Sequence, residues 1–246
     1  MFRLISVCAG VALATSAASA EFLGVEVRTN AAWNTAANNA IGAGDHAVVR
    51  LYAVYDTPES LLNVGQINDD AGFGLADDSS SFFQAMGGGS TAPNSGLFGI
   101  APALQWDTFV SINRLTNDFG DATSLDGSFA FLDTDGDPGH DFVRGGWFNS
   151  QPLNGQGGTQ FNANTGLQEV FLGQFTIRDH AGSTAGAGPA MTVMNNFFEG
   201  ELSVFTQMPG GGIVQNAVTF IAVPAPGAAT LLGALGLAAV RRRRAA

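Results

Sequence analysis

The side chains of this chain that are best suited to chemistry are four aspartates between Asp133 and Asp141. The segment reads Asp-Thr-Asp-Gly-Asp-Pro-Gly-His-Asp, so carboxylates recur at alternate positions and Gly136 permits a tight turn. Several carboxylate oxygens directed at one point suit a hard cation such as calcium. We therefore predict a calcium site with these ligands: Asp133, Asp135, Asp137 and Asp141.

A solvated β-turn is the alternative interpretation of this segment, since Asp, Gly and Pro are also the standard turn residues. The segment resembles the Asp-rich loops of calcium-binding repeats in extracellular proteins, whose affinity is in the millimolar range. It departs from an EF-hand loop, because Pro138 stands where a glycine is usual and Arg144 where a bidentate Glu belongs. Without a cation, water or Arg144 would have to screen the repulsion among the carboxylates.

Catalytic motifs are missing from the rest of the sequence. The three histidines, His46, His140 and His180, are too few and too scattered to predict a zinc site. No Gly-x-Ser-x-Gly elbow accompanies Asp179-His180, and a chain without Lys has no phosphate-binding Gly-Lys-Ser/Thr loop. Two acids opposed across a cleft leave no mark in a sequence, so a secreted polysaccharide hydrolase stays an alternative. The prediction is a protein that is not an enzyme.

The elements that must position these aspartates have the pattern of strands. Short runs of alternating apolar residues are separated by clusters of Gly, Asn, Asp, Ser and Pro between Glu21 and Ala222. This pattern is typical of an antiparallel β protein. The expected strands are Phe22 to Arg28, Ala47 to Tyr55, Asp107 to Asn113, Ser128 to Leu132, Glu169 to Ile177, Leu202 to Thr206 and Ala217 to Val223. Ala31 to Ala40, rich in Ala and Asn, stays ambiguous.

Aromatic residues are numerous enough to fill an interior between two sheets. The chain has 19 Phe and 3 Trp, and in the run from Ala47 to Tyr55 every second residue is apolar. Such a run is predicted to pair centrally in a sheet, with one face turned to the core. We therefore predict one all-β domain over residues 21–222, an antiparallel, jelly-roll-like β-sandwich.

The charge of the chain is distributed unevenly. The formal net charge is −11, and residues 21–222 carry all 21 acidic residues but only five of the ten arginines. A surface this acidic repels phosphate backbones, so no nucleic-acid partner is expected. The only cysteine, Cys8, lies in the N-terminal apolar run, which excludes disulfides, thiol nucleophiles and Cys-ligated zinc from residues 21–222.

The N-terminus has the three parts of a secretory signal peptide. Arg3 precedes an apolar run from Leu4 to about Ala14, and the small residues Ala18 and Ala20 stand at the −3 and −1 positions before Glu21. We predict a signal peptide over residues 1–20, with the export machinery and signal peptidase as partners. An uncut anchor is the alternative, although the run is shorter than the ~20 residues of a membrane span.

The C-terminus combines a proline motif, an apolar stretch and a basic cluster. The motif is Val223-Pro224-Ala225-Pro226-Gly227, and thirteen uncharged residues then lead to Arg241, Arg242, Arg243 and Arg244. As a helix this stretch covers about 20 Å of the roughly 30 Å hydrocarbon core, so we predict a short transmembrane helix with help from flanking residues. The arginines keep the C-terminus in the cytoplasm, which places residues 21–222 outside.

This tail resembles the PEP-CTERM sorting signals of exported bacterial proteins, in a planctomycete-like form with Ala225 at the usual Glu position. The resemblance implies that residues 223–246 are recognised by an exosortase, a membrane transpeptidase that cuts near the proline motif. The protein would then pass from the membrane to the cell surface or to an extracellular matrix of exopolysaccharide. A plain membrane anchor without cleavage stays an alternative.

Three functions follow from these features. The first is an exported cell-surface or matrix protein whose β-sandwich is structural or adhesive and not catalytic. The second is a calcium-dependent carbohydrate-binding module, in which Trp147 either stacks on a sugar or packs in the core. The third is the secreted hydrolase.

Overall fold

The computed structural model describes residues 22–42, 46–56, 63–68, 72–75, 80–118, 120–134, 136, 139–179, 198–207 and 212–220. The predicted signal peptide and its cleavage position before Glu21, the tail from Val223 to Arg244, and two predicted calcium ligands, Asp135 and Asp137, lie outside these residues.

The described residues form mainly antiparallel strands. The strands are β1 (Phe22–Thr29), β2 (His46–Tyr55), β3 (Asn63–Asn68), β4 (Phe73–Leu75), β5 (Ser80–Phe82), β6 (Phe109–Val110), β7 (Thr123–Leu125), β8 (Ala130–Leu132), β9 (Phe142–Arg144), β10 (Trp147–Asn149), β11 (Gln160–Asn162), β12 (Leu167–Asp179), β13 (Phe198–Gln207) and β14 (Ile213–Phe220). They are joined by the helix α1 (Ala31–Ile41) and by 3₁₀ turns at Ser95–Leu97, Pro102–Trp106 and Pro152–Asn154. The prediction of an all-β protein with antiparallel sheets is confirmed at this level.

The first sheet is built around β12. One side of β12 pairs with β2, which in turn pairs with the edge strand β1. The other side pairs with three short strands, β11, β6 and β5, which follow one another along β12. Residues 168–177 of β12 are all buried, as expected for a strand with neighbours on both sides and layers on both faces.

The second sheet is built around β13. The edge strand β14 pairs along one side of β13, and β3 and β4 share the other side. Beyond them the sheet divides into two branches, because β3 continues through β10 to β7 while β4 continues through β9 to β8. The strands that carry the aspartate segment, β8 and β9, are therefore at the end of one branch.

One hydrophobic core lies between the two sheets. From β2 it takes the alternate residues Ala47, Val49, Leu51, Ala53 and Tyr55, which confirms the apolar face predicted for this strand. From β12 it takes Val170, Leu172, Phe175 and Ile177, whose spacing changes from two to three at a β-bulge between Phe171 and Gly173. The bulge inserts one residue and so turns Phe175 toward the core.

The segment that was ambiguous in the sequence is the helix α1, which covers part of the outer face of the first sheet. Asn30 caps it by accepting a hydrogen bond from the Trp33 amide at 2.8 Å. The side chain of Asn34 accepts from the Val48 amide at 2.8 Å, and that of Asn38 from the His46 amide at 2.8 Å. The asparagines therefore fasten the helix to the beginning of β2.

The strand predicted over Asp107 to Asn113 is wrong in extent, since only Phe109–Val110 forms a strand, β6. The chain leaves the strand conformation at Asn113, whose φ of 56° is left-handed. The side chain of Asn113 donates to the carbonyls of Gln156 and Gly158 at 2.9 and 2.6 Å. These bonds hold the backbone in a conformation that a non-glycine residue adopts at a cost.

We predict that Phe175→Ala strongly destabilises the fold. The ring of Phe175 is fully buried and lies 5.5, 5.5 and 5.3 Å from the rings of Phe73, Phe82 and Phe198, so its removal leaves a cavity between the sheets. The free energy of unfolding, measured by urea denaturation, should fall by about 3–5 kcal/mol. The control Phe161→Ala removes a ring that is 60% exposed and should change it by less than about 1 kcal/mol. Equal effects of the two changes would contradict this account of the core.

Candidate functional site

The aspartate segment is the loop of a β-hairpin. Strands β8 and β9 pair with Leu132 opposite Phe142, and the Asp141 amide closes the loop by donating to the Leu132 carbonyl at 2.9 Å. The carbonyl of Asp141 in turn accepts from the Leu75 amide at 2.9 Å. The hairpin also contacts the first sheet, because the His140 carbonyl accepts from the Phe82 amide. The loop is thus held at a junction of both sheets.

Asp141 is the structural anchor of this loop. It is buried, and both of its carboxylate oxygens accept hydrogen bonds from Thr134, one from the amide at 2.9 Å and one from the hydroxyl at 2.6 Å. A buried carboxylate is stable only when such donors replace water. The geometry therefore gives Asp141 a role in holding the loop, whether or not a cation binds.

Asp133 is exposed and occupies the opposite side of the loop entrance. Its Oδ1 accepts from the Gly136 amide at 2.8 Å, and Gly136 has a φ of 87°, so the Asp133 side chain closes a tight turn that ends at Gly136. Arg144 is opposite Ala130, toward the other end of the hairpin, and among the described residues it forms no ion pair with either aspartate. Screening by Arg144, one of the sequence-based expectations, is not seen there.

The calcium prediction stays a prediction. Of its four ligands the structure describes Asp133 and Asp141, and Asp141 already uses both oxygens on Thr134. Within the described ranges, no three side chains of His, Cys, Asp or Glu are grouped closely enough to hold a metal ion. The hydrogen bond from Gly136 uses only one of the two carboxylate oxygens of Asp133.

Trp147 is in the core and not on the surface. Its side chain is fully buried, its indole N–H donates to the Ser111 carbonyl at 3.2 Å, and its ring meets that of Phe129 edge to face at 6.2 Å. The suggestion that Trp147 stacks on a sugar is therefore wrong, because sheet packing leaves the indole no access to a ligand. The alternative suggestion, a core position, is confirmed.

A second polar cluster, the Arg28 cluster, lies on the outer face of the first sheet. Its members are Arg28, Glu26, Glu169 and Tyr52. The guanidinium of Arg28 donates to Glu169 at 2.6 and 2.7 Å, forms a further ion pair with Glu26, and lies 4.4 Å from the centre of the Tyr52 ring. Hydrogen bonding to Glu169, the largest influence, raises the pKa of Arg28 above its ordinary value.

The acids of the Arg28 cluster do not have the properties of a glycosidase pair. Burial alone would raise the pKa of Glu169, but hydrogen bonds from Arg28, Asn162 and Thr165 outweigh it, and the pKa is lower than usual. A general acid for glycoside hydrolysis needs a raised pKa, so that it carries a proton near neutral pH. Because Glu26 and Glu169 bind the same guanidinium, the arrangement favours a structural ion-pair network.

Asp107 is the most perturbed acid of the described residues. Its side chain is completely buried between the loop at residues 85–89 and β6, and Oδ1 accepts from the Ala85 amide at 2.7 Å. Burial raises the pKa of Asp107 to about 7, and hydrogen bonds from backbone amides, that of Ala85 first, oppose this shift without cancelling it. Gly88 packs so closely against the carboxyl that a Cβ there would lie 1.9 Å from Oδ2, and the side chain of Asp107 has no exposure to solvent.

Sequence reasoning missed both Asp107 and the Arg28 cluster. Arg28 and Glu169 are 141 residues apart, and strand β2 lies between their strands in the sheet. The burial of Asp107 depends on a loop more than 15 residues earlier in the chain. A long-range register of this kind leaves no local pattern, so no signal in the sequence identified these acids among the 21 present.

Comparison with known proteins adds no relative to this description. No protein-family model, no curated protein and no solved structure matches the chain. Its function must therefore be inferred from its own terminal segments and from the geometry of its described residues.

We predict that Asp107 makes stability fall as the pH rises from about 4 to about 7. In this window the folded state keeps a proton that the unfolded state, with an ordinary pKa of 3.8, has already lost. The free energy of unfolding should decrease by about 4 kcal/mol at most, because each pH unit costs about 1.4 kcal/mol. Asp107→Asn is neutral at every pH and lacks this contribution.

Urea denaturation of both proteins at several pH values tests this prediction. Other carboxyl groups titrate equally in both, so the difference between the two proteins isolates Asp107. The free energy of unfolding of Asp107→Asn, relative to that of the wild type, should rise between pH 4 and pH 7 and then level off. A difference that is constant over this range would show that Asp107 is not protonated in the folded state.

Proposed function

We propose that this chain is an exported protein of the cell surface or extracellular matrix, with a structural or adhesive β-sandwich that is not catalytic. The observation that carries the proposal is the pair of terminal patterns, a signal peptide over residues 1–20 and a PEP-CTERM-like tail over residues 223–246. In the same proposal the tail forms a short membrane helix, an exosortase-like transpeptidase recognises Pro224 and Pro226, and the final partner is exopolysaccharide.

The described residues support a structural role for the domain. Two of its shielded carboxylates hold the fold, Asp141 through Thr134 and Glu169 through Arg28, and the buried Asp107 accepts from the Ala85 amide. Packing between two sheets, and not disulfide bonds, supplies the stability of a domain that has no cysteine after residue 20. A jelly-roll-like connection of the two sheets belongs to the same proposal.

Among the described residues, no helix is long and apolar enough to cross a membrane.

A localisation experiment tests the proposal. A reporter enzyme that is active only outside the cytosol, fused before Val223, should be active, and deletion of residues 224–246 should release the chain from the cell envelope. The mass of the mature wild-type protein should show loss of residues 1–20 and of Arg241 to Arg244. The matched variant Pro224→Ala, Pro226→Ala keeps the apolar stretch and the arginines, and it should retain Arg241 to Arg244.

The reporter fusion tests export, and the mass of the mature protein tests sorting. An inactive reporter would overturn the proposal as a whole, because the arginines would then not hold the domain outside. A mature wild-type protein that keeps its four arginines would leave export standing but would remove the exosortase-like partner, and the tail would be a plain anchor.

The second candidate function is calcium-dependent carbohydrate binding through the hairpin loop. The observation in its favour is the exposed Asp133, which keeps one carboxylate oxygen for a cation at the entrance of a loop anchored by Asp141. Trp147 cannot contribute to a sugar site, so any glycan contact would come from other residues near the loop.

Calcium binding is tested by thermal melting of the wild type and of Asp133→Asn. Asn can still accept from the Gly136 amide, so this change removes the charge and keeps the turn. At ten times a millimolar Kd, calcium should stabilise the wild type by about 1.4 kcal/mol and the variant by clearly less. Asp126→Asn, which preserves a similar turn at the Ser128 amide, should respond like the wild type. An unchanged melting temperature of the wild type, relative to magnesium at equal concentration, would exclude the site.

A further inference from the structure

Among the described residues, the two long edge strands, β1 and β14, differ in how they are protected against pairing with another strand. An exposed sheet edge offers unpaired amide and carbonyl groups, and natural proteins block it with charges, prolines, bulges or very short strands. Strand β1 carries Glu26 and Arg28 and has a bulge between Phe22 and Gly24. The edge of the first sheet is therefore protected.

Strand β14 has none of these protective features. It pairs with β13 over eight consecutive residues without a bulge, and among the described residues nothing pairs with its other edge. Its sequence, Ile-Val-Gln-Asn-Ala-Val-Thr-Phe, contains no charge and no proline. Ile213 is 72% exposed and Val214 is 41% exposed, so β14 has a large, partly exposed apolar side chain on each face of the sheet.

The lack of charge indicates what kind of partner fits this edge. The chain has a net charge of −11, and the neighbouring strand β13 contains Glu199 and Glu201, so most surfaces of two copies repel each other. A basic partner would find no carboxylate on β14 to bind. Two β14 strands, by contrast, can approach one another without like-charge repulsion.

We propose that β14 is the docking edge for a second copy of this chain, whose own β14 pairs with it in antiparallel fashion. Such a contact is isologous, with a two-fold axis normal to the sheet. In an antiparallel pair, directly opposite residues point to the same face of the sheet. The axis must therefore lie midway between the two copies of one residue. An axis between the two copies of Asn216 places Val214 of each copy opposite Val218 of the other.

The residues on the core side of β14 favour this register. Val214, Asn216 and Val218 are opposite Thr206, Val204 and Leu202 of β13, which are buried, so they lie on the core side of the sheet. Pairing Val214 with Val218 covers apolar surface with apolar surface at two symmetric positions. A single strand edge buries less than a standard interface of about 1,600 Å², so the association should be weak and depend on concentration.

Cysteine cross-linking tests the pairing in the full chain, with Cys8 replaced by Ser. In Asn216→Cys each thiol lies opposite its own counterpart, at the roughly 4.4–6.8 Å Cα separation that a disulfide requires. This variant should form covalent dimers under mild oxidation faster than Ala217→Cys, on the other face, and faster than Asn39→Cys, on exposed α1. Cross-linking of Asn216→Cys no faster than that of Asn39→Cys would overturn the proposal.

A charge exchange in the Asn216→Cys background tests the register. Val214→Lys with Val218→Lys places like charges opposite each other twice, and should reduce the rate of cross-linking several-fold. Val214→Lys with Val218→Glu changes the same two positions but places opposite charges together, and should restore it. Equal rates in the two double variants would overturn this register. Because the readout is pairing and not localisation, the result is independent of whether the tail acts as a sorting signal.

Discussion

The structure depends on satisfying the backbone of β12, which is buried along residues 168–177. Every amide and carbonyl of a buried strand must find a partner, since water cannot reach it. Strand β2 meets one edge over almost the whole length, but the other edge is shared by β11, which directly precedes β12, and by β6 and β5, which come from more distant parts of the chain. Asn113 binds Phe171 at the gap between β11 and β6, and Thr108 binds Thr176 beyond β6.

This division of one edge among several short segments explains where the polar groups of the molecule are used. The loop that carries Thr108 also buries Asp107, because the residues that reach β12 must pass beneath the chain at residues 85–89. Glu169, at the beginning of β12, accepts from Asn162 of β11 on one side and from Arg28, across β2, on the other. Among the described residues, Asp107 and Glu169 thus lie beside the central strand, and Asp141 lies in the hairpin loop, which supports the structural role proposed above.

The contrast between the edges of the two sheets is the basis of the proposed pairing between two copies. The first sheet ends in β1, which carries charges and a bulge, whereas the second ends in β14, which is uncharged and regular. Strand β14 also lies shortly before residues 223–246, for which the sequence predicts a tail with a membrane segment. Copies held in one membrane by such a tail would meet at high local concentration, where even a weak edge contact is occupied.

The sequence by itself determined the all-β class, the core face of β2 and the position of β12, because these depend on local alternation and on the burial of contiguous apolar residues. It also marked the hairpin loop, whose Asp and Gly residues have strong local turn preferences. Only the tertiary structure decided that Trp147 is buried, that Asp141 anchors Thr134, and that Asp107 is cut off from water. These outcomes depend on which strands meet and in which register, and such pairings join residues too far apart in the chain for a local pattern to record them.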